Sequence, residues 1–452
     1  MNYKYKKIFL LIGDILVLYL ALYLTLLIRY LALPARGTWA LHFWPFSLAF
    51  IAWVLIFYIS DLYNLHIAVN NSKFFNLTLR SAGIAGLLTA VFFYINPHIN
   101  IAPKTNLVIY IFVFTILFML WRRLFNALLH SYLAKDNLAF IGYNGKVMEL
   151  IKALQAKPHL GYKVSLIVNA GNTDGVSEVE TTNNTGNLKE IILNKKISTM
   201  VLASDPHHSS ELRSSLFKCL PLKINFINLP NFYETVTGKV PIDAISKMWF
   251  LENLSEGRKT VFDAFKRTYD FILALSILLL SAVFWPIIGI IIKIESPGPV
   301  FIKQTRLGRN NKIFTLIKFR SMTETENDRS PTKEDDKRIT KFGRIIRKTR
   351  IDEIPQILNI LTGSMSFVGP RPERPELVRE LEAHLPFYRE RMLVKPGLTG
   401  WDQVSGEYHS PSREDTLKKL QYDLFYIKNR SLYLDASIIL KTIATVLGGG
   451  GV

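Results

Sequence analysis

Four apolar segments, at about residues 8–28, 43–63, 80–96 and 106–121, crowd the first part of the chain, and a fifth covers 271–292. Each approaches the ~20 residues that carry a helix across a bilayer; the third is short and needs tilt or local thinning. A chain built this way has to satisfy lipid before it satisfies anything else. The first run is too long for a signal peptide and lacks a small-residue cleavage site, so it reads as a retained anchor. Lys4, Lys6 and Lys7 precede it, Lys73 and Arg80 fall in the second loop, and Arg122 and Arg123 follow the fourth run. Arg29, Arg36 and Lys104 sit in the opposite loops, so the positive-inside bias is modest; it favours both ends of a four-span bundle in the cytoplasm.

At 452 residues there is length for two or three domains. The chain is 49% hydrophobic yet carries a formal net charge of +19. That pairing fits a membrane protein facing anionic lipid and phosphorylated substrates. Nucleic acid is not expected, because no zinc spacing, helix-turn-helix or aromatic RNA-binding signature accompanies the charge. The single Cys219 excludes an internal disulfide framework and a Cys-rich metal site.

Residues 137–230 read as an α/β unit. Strands are expected at 138–142, 164–168, 199–203 and 223–227, with helices at 146–156, 188–194 and 211–220, an alternation that implies a parallel sheet of Rossmann type. The polar 170–187 stretch reads as a loop. Gly142-Tyr143-Asn144-Gly145 is not a complete Gly-x-Gly-x-x-Gly fingerprint, so a structural or regulatory module is expected rather than a working dinucleotide site.

Chemistry is concentrated near residue 352. Asp352-Glu353 stands just before Pro355 and the apolar run Ile357, Leu358, Ile360, Leu361, which places two carboxylates at an expected helix N-terminus. There the dipole is expected to keep a carboxylate ionised and to attract anions. Gly369-Pro370-Arg371-Pro372 then sets a guanidinium on a stiff turn, and arginine reads phosphate bidentately. Taken alone, such an acid pair is usually a helix cap and Pro-Arg-Pro a rigid turn. Together in basic surroundings they suggest phosphoryl chemistry.

Blocks flanking this stretch resemble the bacterial sugar transferase domain of the polyprenyl-phosphate hexose-1-phosphate transferases, the monotopic phosphoglycosyl transferases. They run in order: Lys266-Arg267-Thr268-Tyr269-Asp270, Gly298-Pro299-Val300-Phe301, Gln304-Thr305-Arg306-Leu307-Gly308, Lys318-Phe319-Arg320-Ser321-Met322, Phe342–Arg347, the Asp-Glu block, and Val394–Trp401. The resemblance implies transfer of a sugar 1-phosphate from a UDP-sugar to undecaprenyl phosphate, the first step of exopolysaccharide, capsule or O-antigen synthesis. It implies Asp352 as covalent nucleophile, Glu353 as a Mg²⁺ ligand, and Arg371 between Pro370 and Pro372 as the phosphate clamp. Lys318, Arg320, Arg347 and Arg350 are candidates for an electropositive floor. Lys395 and Trp401 are expected to shape the nucleotide or lipid site, and Tyr422, Asp423, Tyr426 and Asn429 to lie on an amphipathic interfacial helix.

The apolar run within 268–294 has two readings. A single crossing would export residues 296–350, which hold 15 Lys/Arg against 6 Asp/Glu, against the positive-inside rule. A broken helix that enters and leaves by one face avoids this, and the family carries such a re-entrant hairpin, commonly broken at a Ser-Pro pair. Here Trp285-Pro286 interrupts the run and Pro286 is the expected break, although it lies about three residues later than that pair usually does and Ser281 is separated from it.

The expected architecture is therefore a four-span membrane α-helical bundle (1–130), an α/β Rossmann-like cytoplasmic module with linker (131–250), and an α-rich monotopic catalytic domain with a re-entrant hairpin (251–452). Expected partners are a UDP-sugar, undecaprenyl phosphate and the bacterial inner membrane, with a homodimer compatible with the front half. Two other classes remain. A membrane-bound nucleotide-sugar dehydratase would need a Gly-rich cofactor loop and a Tyr-x-x-x-Lys couple, and no convincing pair is present. A non-catalytic scaffold or sensor would have no need of Asp352, Glu353 and Arg371.

Overall fold

The computed structural model describes residues 3–60, 62–63, 72–95, 103–132, 136–156, 161–168, 179–203, 210–254, 259–323, 336, 338–405 and 412–447. It divides into two compact units, 1–229 and 230–452. Among the described residues, helical stretches 8–30, 36–59, 74–95, 106–125 and 260–295 are long and apolar enough to cross a membrane.

In the first unit, α1 (Tyr3–Tyr30), α2 (Arg36–Ile59), α3 (Ser72–Ile95) and α4 (Pro103–Tyr132) form a bundle. Both α1 and α3 pack on α2 and on α4. Phe46, Phe50, Trp53, Phe57, Tyr110, Phe114 and Phe118 are buried within it. Edge-on contacts such as Trp53–Phe114, 5.0 Å between ring centroids, set their packing. The outer surface is apolar as well, with Leu16, Leu48, Ile51, Val108 and Phe112 exposed, as expected where the surrounding solvent is hydrocarbon. Among the described residues one ion pair lies inside. Arg122 donates to Asp14 at 2.6 Å and to the Leu62 carbonyl at 2.7 Å, while Trp121 Nε1 donates to Asp14 at 3.0 Å. An unpaired charge at such depth is expensive, so these partners are what make Asp14 tolerable there.

The same unit contains a five-stranded sheet, β1 (Asp136–Ile141), β2 (Tyr162–Val168), β3 (Thr181–Thr182), β4 (Ile197–Leu202) and β5 (Asn225–Asn228), in order 3-2-1-4-5. Every pairing is parallel. The helices α5 (Gly145–Ala156), α6 (Leu188–Asn194) and α7 (Ser210–Cys219) alternate with the strands. Leu138-Ala139-Phe140-Ile141 is continuously apolar and fully buried, the mark of a strand covered on both faces. The Rossmann-type expectation thus holds strand for strand. β3, at the described end of the 170–187 stretch, is an addition; 169–178 lies outside the described residues.

The second unit opens with α8 (Leu229–Thr237), which begins at the boundary, and α9 (Lys247–Asn253). The apolar run forms α10 (Thr260–Ser281) and α11 (Trp285–Glu295), joined by a 3-10 turn at Ala282–Phe284. Pro286 sits in the first turn of α11, where its missing N–H costs little. An antiparallel hairpin follows, β6 (Phe301–Leu307) and β7 (Ile313–Phe319), then α12 (Lys341–Lys348), a 3-10 segment Ile351–Gln356 and α13 (Ile357–Thr362). Last come β8 (Ser366–Val368), α14 (Pro375–His384), β9 (Gly397–Thr399), α15 (Arg413–Asn429) and α16 (Leu432–Leu447), with β8 parallel to β9. The unit is largely helical, as expected, but its site hangs on these two small sheets.

Both ends of the 260–295 stretch are tied to this one unit. Near the start, Arg267 donates to the carbonyls of Ile360 (2.6 Å) and Leu361 (2.7 Å), and Asp270 accepts from the Phe367 N–H (3.1 Å). Lys266 pairs with Asp435 at 2.5 Å, and Tyr269 bonds the same carboxylate. At the far end Arg320, fully buried, donates to the carbonyls of Ser296 (2.7 Å) and Pro297 (2.8 Å), and Glu295 accepts from the Phe342 N–H (2.9 Å). Between these ends Leu279, Leu280, Val283, Phe284, Ile287 and Ile290 are exposed. So large an apolar surface marks a lipid or partner contact.

α15 corrects an expectation. Tyr422, Asp423 and Tyr426 are buried at the centre of the unit with Leu420, Leu424 and Ile427, so this is a core helix rather than an interfacial one.

Candidate active site

The Asp352–Glu353 pair lies in the first turn of the 3-10 segment 351–356, one turn ahead of α13 and not at an α-helix N-terminus. Arg350, which precedes that segment, adopts the left-handed conformation (φ 57°). A non-glycine residue pays of order 1 kcal/mol there, and strain of this kind gathers where geometry matters. The reversal brings Arg347 of α12 and Arg350 itself to the same spot as the carboxylates. From the other side, β7 delivers Lys318.

The four cations treat the two carboxylates differently. Glu353 Oε1 accepts from Lys318 at 2.7 Å and from Arg371 at 3.1 Å, with Arg350 at 3.8 Å. Burial alone would raise the Glu353 pKa, but Arg371, Lys318 and Arg350 outweigh it and hold the group well below the usual carboxylate range. Lys318, in return, is pushed down by burial, opposed by Glu353. The adjacent Glu353 charge is the main cause that raises Arg371.

Asp352 is the opposite case. Its Oδ1 is buried with no hydrogen-bond partner. Burial first, then the neighbouring Glu353 charge, push it up to about 6, against Lys318, Arg347 and Arg350. The expectation that a helix dipole keeps this carboxylate ionised is therefore corrected: the pair starts a 3-10 segment, among the described residues its Oδ1 accepts no hydrogen bond, and burial wins. One carboxylate is locked as an anion while its neighbour stays poised near neutrality, a division that recurs where two acids have different tasks.

The Gly369–Pro372 turn is held by backbone. Ser366 N–H donates to the Pro396 carbonyl (2.9 Å), Gly369 N–H to the Thr399 carbonyl (2.9 Å) and Gly397 N–H to the Pro370 carbonyl (3.0 Å). The chains approach so closely that a Cβ on Gly369 would sit 2.3 Å from the Lys395 carbonyl oxygen. The Pro372 carbonyl accepts from Arg306 at 3.4 Å. Beneath this turn lies a buried group that sequence reasoning missed. Arg391 donates to Asp423 (2.7 Å), to the Tyr388 hydroxyl (2.6 Å) and to the Arg371 carbonyl (3.1 Å). Asn359 was missed too: it accepts from Ile317 N–H (3.2 Å) and donates to the Thr315 carbonyl (2.7 Å), stitching α13 to β7. No motif separates such residues from ordinary surface arginines and asparagines; only burial does.

Three expected site residues stand elsewhere. Arg320 caps the end of α11, its two terminal nitrogens donating to the carbonyls at 296–297 rather than to the carboxylate pair. Trp401 donates to the Gly238 carbonyl (3.0 Å), stacks on Phe425 and lies under Lys441. Lys395 lines a separate cavity with Arg267 and Arg309. Asp352, Glu353, Lys318, Arg347, Arg350 and Arg371 do come together.

Among the described residues no group of three His, Cys, Asp or Glu side chains could hold a metal by itself. The donor set nevertheless suits Mg²⁺, which keeps waters and binds through one or two carboxylates plus substrate phosphates. Asp352 Oδ1 has no donor, and the hydrogen bonds to Glu353 fall on Oε1.

Residues 261–449 match the family model described as bacterial sugar transferase, and 58–221 match one described as CoA-binding domain. The chain is 37% identical over 249 residues to the UDP-N-acetylgalactosamine-undecaprenyl-phosphate N-acetylgalactosaminephosphotransferase of Aeromonas hydrophila, covering 55% of this chain and 58% of the relative. It is 27% identical over 442 residues to the UDP-glucose:undecaprenyl-phosphate glucose-1-phosphate transferase of Klebsiella pneumoniae, covering 95% and 93%. With the exopolysaccharide production protein PSS of Rhizobium leguminosarum bv. phaseoli it shares 40% identity over 195 residues, 41% of this chain and 96% of the relative. Against the Aeromonas protein and two further glucose-1-phosphate transferases the match spans 58%, 42% and 64% of the relative, about half of their length. With a relative of 40% identity matched almost end to end, and with the family model covering the Asp352 cluster, the chain belongs to the bacterial sugar transferase family.

Proposed function

We propose that this protein moves a sugar 1-phosphate from a UDP-sugar to undecaprenyl phosphate, starting synthesis of a surface polysaccharide. The observation that carries the reading is Asp352, a buried carboxylate with a free oxygen beside four cations. The names of the matched relatives supply the substrate classes.

An Asp352 oxygen attacks the sugar-proximal phosphorus; the P–O bond to the uridine phosphate breaks, and UMP departs with that electron pair. An oxygen of undecaprenyl phosphate then attacks the same phosphorus and the Asp352–phosphorus bond breaks. The products are undecaprenyl-diphosphate-sugar and the regenerated carboxylate. Splitting one displacement into two is the use of a covalent nucleophile. Low solvation makes the Asp352 anion reactive, and Lys318, Arg347, Arg350 and Arg371 stabilise charge that builds on the phosphate oxygens. Arg371 is aimed by its backbone-locked turn, and Glu353 keeps Lys318 and Arg371 in place between turnovers. Mg²⁺ would be held by Glu353, with the free Asp352 oxygen nearby, and would neutralise the diphosphate.

In this reading residues 1–130 cross the inner membrane four times, 131–250 form a cytoplasmic module with its linker, and 251–452 carry the chemistry on the cytoplasmic face. The 260–295 stretch enters and leaves by that same face. The break at Ala282–Phe284 between α10 and α11, and the anchoring of both ends of the stretch on this one unit, support that reading.

The test is UMP release by purified protein from a panel of UDP-sugars with undecaprenyl phosphate and Mg²⁺. Release with one donor, lost in Asp352→Asn, is expected. Release from none would place the chain among non-catalytic scaffolds or with a different nucleotide.

A further inference from the structure

The unit 230–452 holds a second cavity, of about 100 Å³, between the N-terminal half of α10, the 3-10 turn Arg309–Asn311 and the loop before β9. Lys266, Arg267, Arg309, Lys395 and Arg430 line it, against Asp263 and Asp270. Several of these cations are already engaged. Lys266 is paired with Asp435 at 2.5 Å, and Arg267 with the Ile360 and Leu361 carbonyls. A single carboxylate, Asp263, lies 3.5 Å from Arg430 and 3.8 Å from Arg309. Lys395 has neither a hydrogen bond nor an ion pair among the described residues. Burial and then Arg267 push its pKa down, Asp270 opposes them, and Arg309 adds to the fall. Among the described residues, and counting Asp435, five cations face three carboxylates here.

Size and position narrow the ligand. Small-molecule sites are about 300–1,000 Å³, so this cavity admits a single group rather than a nucleoside diphosphate. Lys266, Arg267 and Asp270 lie on the turns just before the outward-facing apolar side chains Phe271, Ile272 and Leu275. If lipid begins there, the cavity stands at headgroup depth, where lysine and arginine meet lipid phosphates. It shares no residue with the Asp352 cluster; Val394 alone is common to it and to the cleft beside Pro370–Pro372.

We propose that this cavity binds one phosphate group, at a site separate from the Asp352 centre. The phosphate belongs to a lipid headgroup or comes from solution, and the two sources can be told apart. The full chain in neutral detergent is titrated with dihexanoyl phosphatidate and, separately, with inorganic phosphate, and binding is followed by thermophoresis. Saturable binding of phosphatidate, at least tenfold tighter than inorganic phosphate, is expected. Lys395→Gln and Arg309→Gln each weaken it tenfold or more, and Lys395→Arg restores most of it. The Arg309 side chain is 43% exposed, so its removal leaves the fold intact. Arg371→Gln, which strips a cation from the Asp352 centre, leaves this binding unchanged, as does Lys189→Gln on α6. Equal binding of both anions with the same losses would keep the site and assign the phosphate to solution. No saturable binding, binding indifferent to both Lys395→Gln and Arg309→Gln, or binding abolished by Arg371→Gln overturns the proposal.

Discussion

Burial beside a second carboxylate gives Asp352 a proton affinity near pH 6, and two measurable consequences follow with opposite signs. An unfolded aspartate titrates near 3.9. Well below pH 4 the group is protonated in both states and costs nothing. As pH rises from about 4 to 6 the unfolded chain releases this proton while the folded chain keeps it, so stability falls by on the order of 1–3 kcal/mol and the loss is complete above pH 6. Asp352→Asn should therefore raise the thermal midpoint by several degrees at pH 8 and leave it nearly unchanged below pH 4. Equal midpoints at pH 8 would show that the anion is not strained. Catalysis runs the other way, since only the anion attacks: kcat/KM should fall about tenfold per pH unit below 6. A profile flat down to pH 5 would argue against Asp352 as the titrating group. The sequence made Asp352, Glu353 and Arg371 legible because they sit in short stiff motifs. Arg320, Lys395 and Trp401 stand apart from that cluster, and a cation or an aromatic in a conspicuous block carries no mark of which way it points.

At the scale of elements, the parallel β8–β9 pair aims Arg371, and Arg391 supports the turn from below. Arg391→Lys keeps the charge but cannot reach Asp423, Tyr388 and the Arg371 carbonyl together. A drop of about 10–100-fold in kcat/KM is expected in protein that remains folded, since a misplaced clamp costs that much. Retained kcat/KM would make Arg391 a purely structural residue. Gly369→Ala should cost about 1–3 kcal/mol or more through its clash with the Lys395 carbonyl, read as a lowered thermal midpoint. The α/β module was legible nearly to the residue, because strands covered on both faces are continuous apolar runs. The 3-10 turn under Asp352 was not: Pro355 is compatible with either kind of helix start, and the left-handed Arg350 that decides between them has no sequence signature.

For the whole molecule, the apolar runs announced membrane helices, but hydropathy does not say whether a run crosses or turns back. Contacts far apart in sequence bear on that, since Arg267, Asp270, Glu295 and Arg320 tie both ends of the 260–295 stretch to one unit. In a Cys219→Ala background, Glu252→Cys and Lys312→Cys should both react with an impermeant thiol reagent from the same face of oriented vesicles. Labelling from opposite faces would mean that the stretch crosses.

The central claim is that Asp352 carries the sugar phosphate, and mass spectrometry of the intact protein tests it most directly. Mixed with a UDP-sugar and Mg²⁺ but no undecaprenyl phosphate, wild-type protein should gain the mass of one sugar phosphate as UMP appears, and Asp352→Asn should gain none. An adduct that persists in Asp352→Asn, or UMP release without any adduct in a folded and active protein, would contradict the account.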